Sequence, residues 1–316
     1  MGGKAFGFIS KRMDVDEYNE VCDTIDIQIF CSNMIFGYIP NSYINKDSFG
    51  DVDILVDRSR FSFSDFYRIY HNEYKDFKWN DGIYSLLDLE DRQIDIITTT
   101  PELVQCHYDY LSYNDLGNFV GKLAHKLGLK YGMDGLSVLV RAPENASIKL
   151  GTINIAKDKN YIYELLDVNL PDEINSMEDI FKAITNSKYF HKEFFDLDKL
   201  NHKSRNRDKK RINYVKLLSY INDNNIQNKS DSAKKLRLDE TLAILDRPEI
   251  NEECKKLFQE HLDRRRFKAE VNGDIVGAIT GLKGKELGKF IKHCSNNVDI
   301  DAGDINLQIH KLFIKY

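Results

Sequence analysis

The sequence is poor in the residues that announce a metal finger, a disulfide scaffold or a membrane anchor. Its five cysteines, Cys22, Cys31, Cys106, Cys254 and Cys294, are scattered. No two stand at zinc-ligand spacing, so reduced thiols in a cytoplasmic protein are expected. No apolar run reaches the ~20 residues of a membrane-spanning helix, which predicts no membrane partner. The opening stretch MGGKAFGFIS lacks the apolar centre of a signal peptide and does not continue at P-loop spacing. A global surplus of positive charge is missing too: the formal net charge is -5, so any nucleic-acid site has to come from local clustering.

What remains is the profile of a soluble globular protein, 42% hydrophobic and 30% charged. A chain of 316 residues suggests two or three modules. The abundance of Asn, Ile, Lys and Tyr fits an AT-rich genome such as that of a phage, a virus or an AT-rich bacterium. If phage or viral, the protein would work in the host cytoplasm. Tyr18, Val21, Cys22, Ile25 and Ile29 recur at helical spacing. DVDILV and RQIDIITTT read as strands, the second ended by Pro101. DFKWNDGIYSLLDLE reads as a hairpin turning at Asn80, Asp81 and Gly82. A helix capped near Ser62 or Ser64, a helix over NDLGNFVGKLAHKLGL ending in GLKYG, and a strand over LSVLVRA complete an α+β domain. Trp79, before the hairpin turn, is expected to pack. Ser176 and Asp179 fit a capping box, and NIQNKSDSAKK is the expected linker or hinge.

The chemistry is concentrated in NSYINKDSFGDVDILVD. On a strand, residues i and i+2 share a face, so Asp51 and Asp53 project together out of an apolar run. Two such charges repel unless a cation neutralises them, which is how carboxylates build a divalent-metal site. Asp-x-Asp also occurs by chance on solvent faces, and glycosyltransferases use it, so the pair alone chooses no chemistry. Asp95, flanked by Ile94, Ile96 and Ile97, is a third strand-borne acid. Three such acids match two-metal phosphoryl transfer, in which ions about 3.5–4 Å apart clamp the attacking and leaving oxygens. Ser42, one short loop upstream, is placed to receive phosphates.

These residues resemble the DNA polymerase beta nucleotidyltransferase superfamily, which carries Gly-Ser, a loop, Asp-x-Asp on a strand and a third Asp on a neighbouring strand. Asn41 stands where that pattern has glycine. The resemblance implies a palm with a mixed β-sheet and flanking helices, in which Asp51 and Asp53 hold two Mg²⁺ or Mn²⁺ ions. Asp95 would hold the ion that activates an attacking 3′-hydroxyl. YLSYNDLGNFVGKLAHKLGLKYGMDGLSVLVR is similar to the nucleotide-binding segment of family X polymerases, with Tyr110 in the sugar-facing turn. In the same segment Asp115 and Asn118 match the pair that wraps the nucleotide, and Lys122 is taken as a further contact. Leu111 and Tyr113 depart from the family's Tyr-Phe-x-Gly turn. SMEDIFKAI is similar to the short thumb segment that follows, so the likeness spans roughly 37–189. The family's lyase domain is not visible.

The tail, FKAEVNGDIVGAITGLKGKELGKFI, is similar to the C-terminal segment of CCA-adding tRNA nucleotidyltransferases, but their head signature is absent. KLNHKSRNRDKKRINYVK holds eight Lys/Arg against one acid, Asp208. Lys203, Arg205, Arg207, Lys209, Lys210 and Arg211 are therefore expected to track a phosphate backbone, with Lys283 and Lys285 as a second candidate at a helix start.

The expected organisation is a helical segment over 1–36, a palm over 37–143, a thumb-like basic segment over 144–228 and a mainly helical tail over 229–316. The expected function is metal-dependent transfer of a nucleotide from a (d)NTP to a nucleic-acid 3′-hydroxyl, with release of pyrophosphate. The alternatives are a tRNA 3′-end transferase, transfer to a protein or small molecule, and a non-catalytic nucleic-acid-binding protein.

Overall fold

A computed structural model describes residues 5–316. It has a mixed α+β fold. The chain divides into two compact units that are not consecutive in sequence. One comprises the described residues up to Val138 together with Asn154–Leu245, the other Leu139–Ile153 together with Asp246–Tyr316. This differs from four consecutive segments because 139–153, the middle of a local strand pair, groups with the tail rather than with the residues on either side of it, and no composition change marks that grouping.

In the first unit, α1 (Val15–Asn33) starts at a capping box in which Asp14 and Glu17 satisfy each other's backbone N–H groups. β1 (Val52–Asp57) follows, then α2 (Phe63–Tyr70), capped by Ser62. β2 (Tyr74–Asn80) and β3 (Ile83–Asp88) form the expected hairpin. Asp81 and Gly82 both take positive φ at its turn, 44° and 84°. That is the backbone twist a two-residue hairpin loop favours, and glycine adopts it without strain. β4 (Gln93–Thr99) completes a sheet of order β1-β4-β3-β2. β1 pairs with β4 in parallel, while the other pairings are antiparallel.

One face of this sheet is core. Val52, Ile54 and Val56 of β1 and Ile94 and Ile96 of β4 pack with Ile25 and Ile29 of α1 and Phe66 of α2. Each such side chain, removed from water, stabilises the fold by about 1.5–3 kcal/mol. Their alternation leaves Asp53 and Asp95 on the opposite face. Trp79 does not pack as expected: it is 68% exposed, because β2 is the edge strand and its outer positions meet solvent.

α3 (Val104–Leu111) and α4 (Leu116–Lys126) follow β4. They cross so closely at Gly117 that a Cβ there would strike the carbonyl of Tyr110. β5 (Leu129–Gly132), β6 (Gly135–Ala142) and β7 (Asn145–Ala156) make a second sheet. GLKYG therefore begins a strand rather than only ending a helix. β7 escaped the sequence reading because its first half is exposed and lacks a strand-like alternation. α5 (Lys159–Leu165) and α6 (Met177–Asn186) come next, α6 starting at the predicted Ser176–Asp179 box. α7 (His202–Asp208), α8 (Ile212–Asp223) and α9 (Leu238–Leu245) complete the unit. Phe119 of α4, Phe181 of α6 and Tyr214 of α8 form an aromatic centre there.

The segment expected as a hinge is held to the first unit. The N–H groups of Lys229 and Ser230 donate to the Phe190 carbonyl, at 3.0 Å each. Lys126 donates to the carbonyls of Ser232 and Lys234. The second unit holds α10 (Pro248–Glu270), α11 (Gly273–Thr280), α12 (Gly284–Cys294) and α13 (Ile305–Lys315). Val271, Val276, Phe290, Cys294 and Ile309 are its core.

Candidate metal centre

The register of the first sheet builds the centre. Asp53 and Asp95 are Cα partners across the parallel β1–β4 pair, and Ser85 of β3 is the partner of Asp95 on its other side. Asp51 stands two residues before Asp53 and so shares its face. One carboxylate oxygen from each of Asp51, Asp53 and Asp95 lies within 4.8 Å of the other two. Among the described residues this is the one group of acids, histidines or cysteines arranged to hold a metal ion. An all-oxygen donor set of three carboxylates suits a hard cation.

Electrostatics agrees with the geometry. Burial, then the charges of Asp51 and Asp95, push the Asp53 carboxyl well above the usual carboxylate range. Burial pushes Asp95 up to about 6, with Asp51 adding to the rise and hydrogen bonds from Ser85 and Gln93 opposing it. Gln93, two residues before Asp95 on the same face, donates Nε2 to both carboxylate oxygens, at 3.1 and 3.0 Å. That contact orients the carboxylate before any cation arrives. Like charges held this close are relieved by a divalent cation.

A cation of the chain's own lies beside them. Lys46 Nζ donates to Ser42 Oγ at 3.3 Å and to Asn114 Oδ1 at 3.1 Å, and sits 4.1 Å from the centroid of the Phe49 ring. Burial pulls its ammonium down to about 8, against the opposing pull of Asp51 and Asp53. Asn114 reaches it from a turn in which Tyr113 and Asn114 both have positive φ, 61° and 62°. For residues other than glycine such a conformation costs on the order of 1–2 kcal/mol each, and it persists because neighbours hold it. The Tyr113 N–H donates to the Asn41 carbonyl at 2.6 Å, and the Asn41 N–H to Ser112 Oγ at 3.1 Å. The loop before β1 and the turn before α4 are thereby tied together at Asn41, beside Ser42.

The sequence reading did not single out Lys46. A lone lysine in a polar loop carries no pattern; its significance depends on Asn114, far along the chain. Of the residues read as nucleotide-binding, Ser42 is next to the acids through Lys46. Tyr110 is partly buried and packs edge-on to Tyr131. The Asn118 Nδ2 is buried with no partner.

Asp115 and Lys122 are engaged differently from the expectation. Asp115 accepts from Arg211 Nη1 at 2.7 Å and from Asn213 Nδ2 at 3.2 Å. Lys122 donates at 2.7 Å to Asp208, a fully buried carboxylate.

The three arginines of the basic run are engaged within the chain, while its lysines are exposed. Arg207 pairs with Asp208 at 2.8 Å, and Arg211 pairs with Asp115. Arg205 donates to the carbonyls of Leu197, Asp198 and Leu200. Lys203, Lys209 and Lys210 are exposed, and so are Lys283 and Lys285 in the second unit. A run of like charge seen in sequence is here partly the outer half of buried ion pairs.

No family model matches this chain, and no curated protein matches it. The centre therefore stands on its own geometry: three carboxylates that can hold a metal ion, with an ammonium and a hydroxyl beside them. No helix among the described residues is long and apolar enough to cross a membrane.

Proposed function

We propose that this protein is a divalent-metal-dependent nucleotidyltransferase that moves a nucleoside monophosphate from a (d)NTP onto a hydroxyl group and releases pyrophosphate. The observation that carries this reading is the convergence of Asp53 and Asp95 on two adjacent strands with Asp51, the residue just before the first of them. The polar Ser42–Lys46–Asn114 cluster beside the acids supports it. A nucleoside triphosphate brings the negative charge that the ammonium and hydroxyl would bind and the phosphate oxygens that complete a carboxylate-held metal site.

Asp51 and Asp53 are the residues that would hold ions on the phosphate side, and Asp95 the one on the side of the attacking hydroxyl. Mg²⁺ or Mn²⁺ held there would neutralise charge on the transferring phosphate and favour deprotonation of the nucleophile. Lys46 would bind the non-transferred phosphates, and Gln93 would keep Asp95 aimed at the centre. The rate gain would come from positioning and preorganised charge rather than from a covalent intermediate.

A nucleic-acid 3′-hydroxyl is the acceptor we favour, through exposed Lys203, Lys209 and Lys210. The hydrogen bonds of Arg205 to backbone carbonyls and the ion pairs of Arg207 and Arg211 favour a second reading, transfer to a protein or small molecule. Incubation with each labelled triphosphate, Mg²⁺ or Mn²⁺, and a panel of DNA ends, RNA ends and tRNA tests both. Metal-dependent labelling of a nucleic-acid end supports the first. Labelling of the protein itself or of a small hydroxyl compound supports the second, and no labelled product under any condition defeats the enzyme reading.

A further inference from the structure

We propose that Tyr18 is a positioning residue of this site: through the Phe49 ring it sets where the Lys46 ammonium stands, and so governs recognition of the β- and γ-phosphates. The proposal rests on the nucleotidyl-transfer reading and adds to it a part of the chain outside the sheet.

The Tyr18 and Phe49 rings are stacked, with centroids 3.8 Å apart and planes 17° from parallel. A ring at that distance fills one face of Phe49. The Lys46 ammonium, 4.1 Å from the Phe49 centroid, therefore uses the other. Lysine has a long, flexible stem, so an ammonium held between a ring face, Ser42 and Asn114 is placed only as well as that ring is placed.

Phe49 is fixed from the same direction. Its N–H donates to the Met13 carbonyl at 2.8 Å, and the Met13 N–H donates to its carbonyl at 2.9 Å. Arg12 donates to Ser48 Oγ at 2.7 Å and to the Ser48 carbonyl at 2.9 Å, and Ser10 Oγ to the Gly50 carbonyl at 3.0 Å. Residues 10–18 thus strap Ser48, Phe49 and Gly50, three of the four residues that separate Lys46 from Asp51. Tyr18 itself is locked in the first turn of α1 by the Asp14–Glu17 box. Burial raises the proton affinity of its hydroxyl, and nearby Cys22, Asp53 and Asp51 add to the rise. The element that precedes the sheet is therefore one wall of the phosphate side.

The test measures binding of a non-hydrolysable nucleoside triphosphate and of the matching monophosphate, both with Mg²⁺, by titration calorimetry on the whole chain. Tyr18→Leu and Phe49→Leu should weaken triphosphate binding about five- to tenfold and leave the monophosphate within about twofold. Tyr18→Phe and Phe49→Tyr, which keep the stack, should stay within about twofold of the wild type for both. In a Lys46→Met background, Tyr18→Leu and Phe49→Leu should have no further effect, since the residue they act through is gone. Equal losses for both nucleotides, or losses that persist without Lys46, would show a structural role only and overturn the proposal. A wild type that prefers the triphosphate, beside a Tyr18→Leu variant with the same preference, would overturn the positioning role and leave the transferase reading intact. A wild type that binds no triphosphate would overturn both. Should Phe49→Leu not fold, the Tyr18 pair carries the comparison, because that side chain is only partly buried.

Discussion

Asp53 and Asp95 occupy one rung of a parallel strand pair. Two acids placed opposite each other, with Asp51 adjoining them, make a local cost that the apolar faces of both strands have to offset. The raised proton affinity of Asp53 and Asp95 is the signature of that cost.

Neutralising one acid at a time should separate function from stability. Asp53→Asn and Asp95→Asn keep side-chain volume and remove charge repulsion. We expect nucleotidyl transfer to fall by at least about 10³-fold, within the range attributed to a metal or an oriented electrostatic group. Circular dichroism should show an unchanged fold, and thermal unfolding an equal or higher midpoint. Normal incorporation by either variant would contradict the proposed roles.

The same carboxyls make metal-free stability depend on pH. The folded-state value for Asp95, about 6, lies above the 3.8 of an unperturbed aspartate. Between these values the folded chain holds more protons than the unfolded one, so stability falls as pH rises through that window. For Asp95 alone the loss is on the order of 2–3 kcal/mol. Unfolding midpoints in chelator should be higher near pH 5 than near pH 7.5 when referred to Asp95→Asn. Millimolar Mg²⁺ should close most of the gap.

Lys46→Met tests the ammonium beside the acids. It keeps the length of the stem and its packing on Phe49 but removes the charge. The KM for the triphosphate should rise roughly 10–100-fold, as expected for loss of a charge-assisted contact, with kcat changed much less. A fall in kcat with an unaltered KM would place Lys46 elsewhere in the mechanism.

Lys122 should behave as a structural residue. Its partner Asp208 is fully buried, and Arg207 is the other cation that holds it. Breaking one arm of a buried ion pair costs about 3–5 kcal/mol, less where a second partner remains. Lys122→Met should therefore lower the unfolding midpoint by many degrees. A stable variant with impaired nucleotide affinity would restore the contact role that the resemblance assigned to it.

Much of the sheet was legible because its signals are local. The alternation of Asp51 and Asp53 with Val52 and Ile54, the Asn80–Gly82 turn and the Ser176–Asp179 box each lie within a few residues of chain. What stayed hidden depends on distant partners. Lys46 gains meaning only when Asn114 is brought to it, Arg211 gains a carboxylate partner only when Asp115 is in place, and Asp208 is read as a buried acid only once Lys122 reaches it. The polar stretch after Ile226 looked like a hinge because its attachments, through backbone groups and the Asn228 amide, leave no apolar trace in composition. β7 was missed for a related reason, since an exposed strand carries no hydrophobic period.

Mn²⁺ titration followed by electron paramagnetic resonance tests the centre most directly, because it reads metal binding without turnover and without an identified acceptor. The wild-type chain should take up Mn²⁺ in the presence of a non-hydrolysable triphosphate, Mg²⁺ should compete for it, and Asp53→Asn should lose most of the bound signal. Equal Mn²⁺ binding by wild type and Asp53→Asn, or none by either, would contradict a metal centre at Asp51, Asp53 and Asp95.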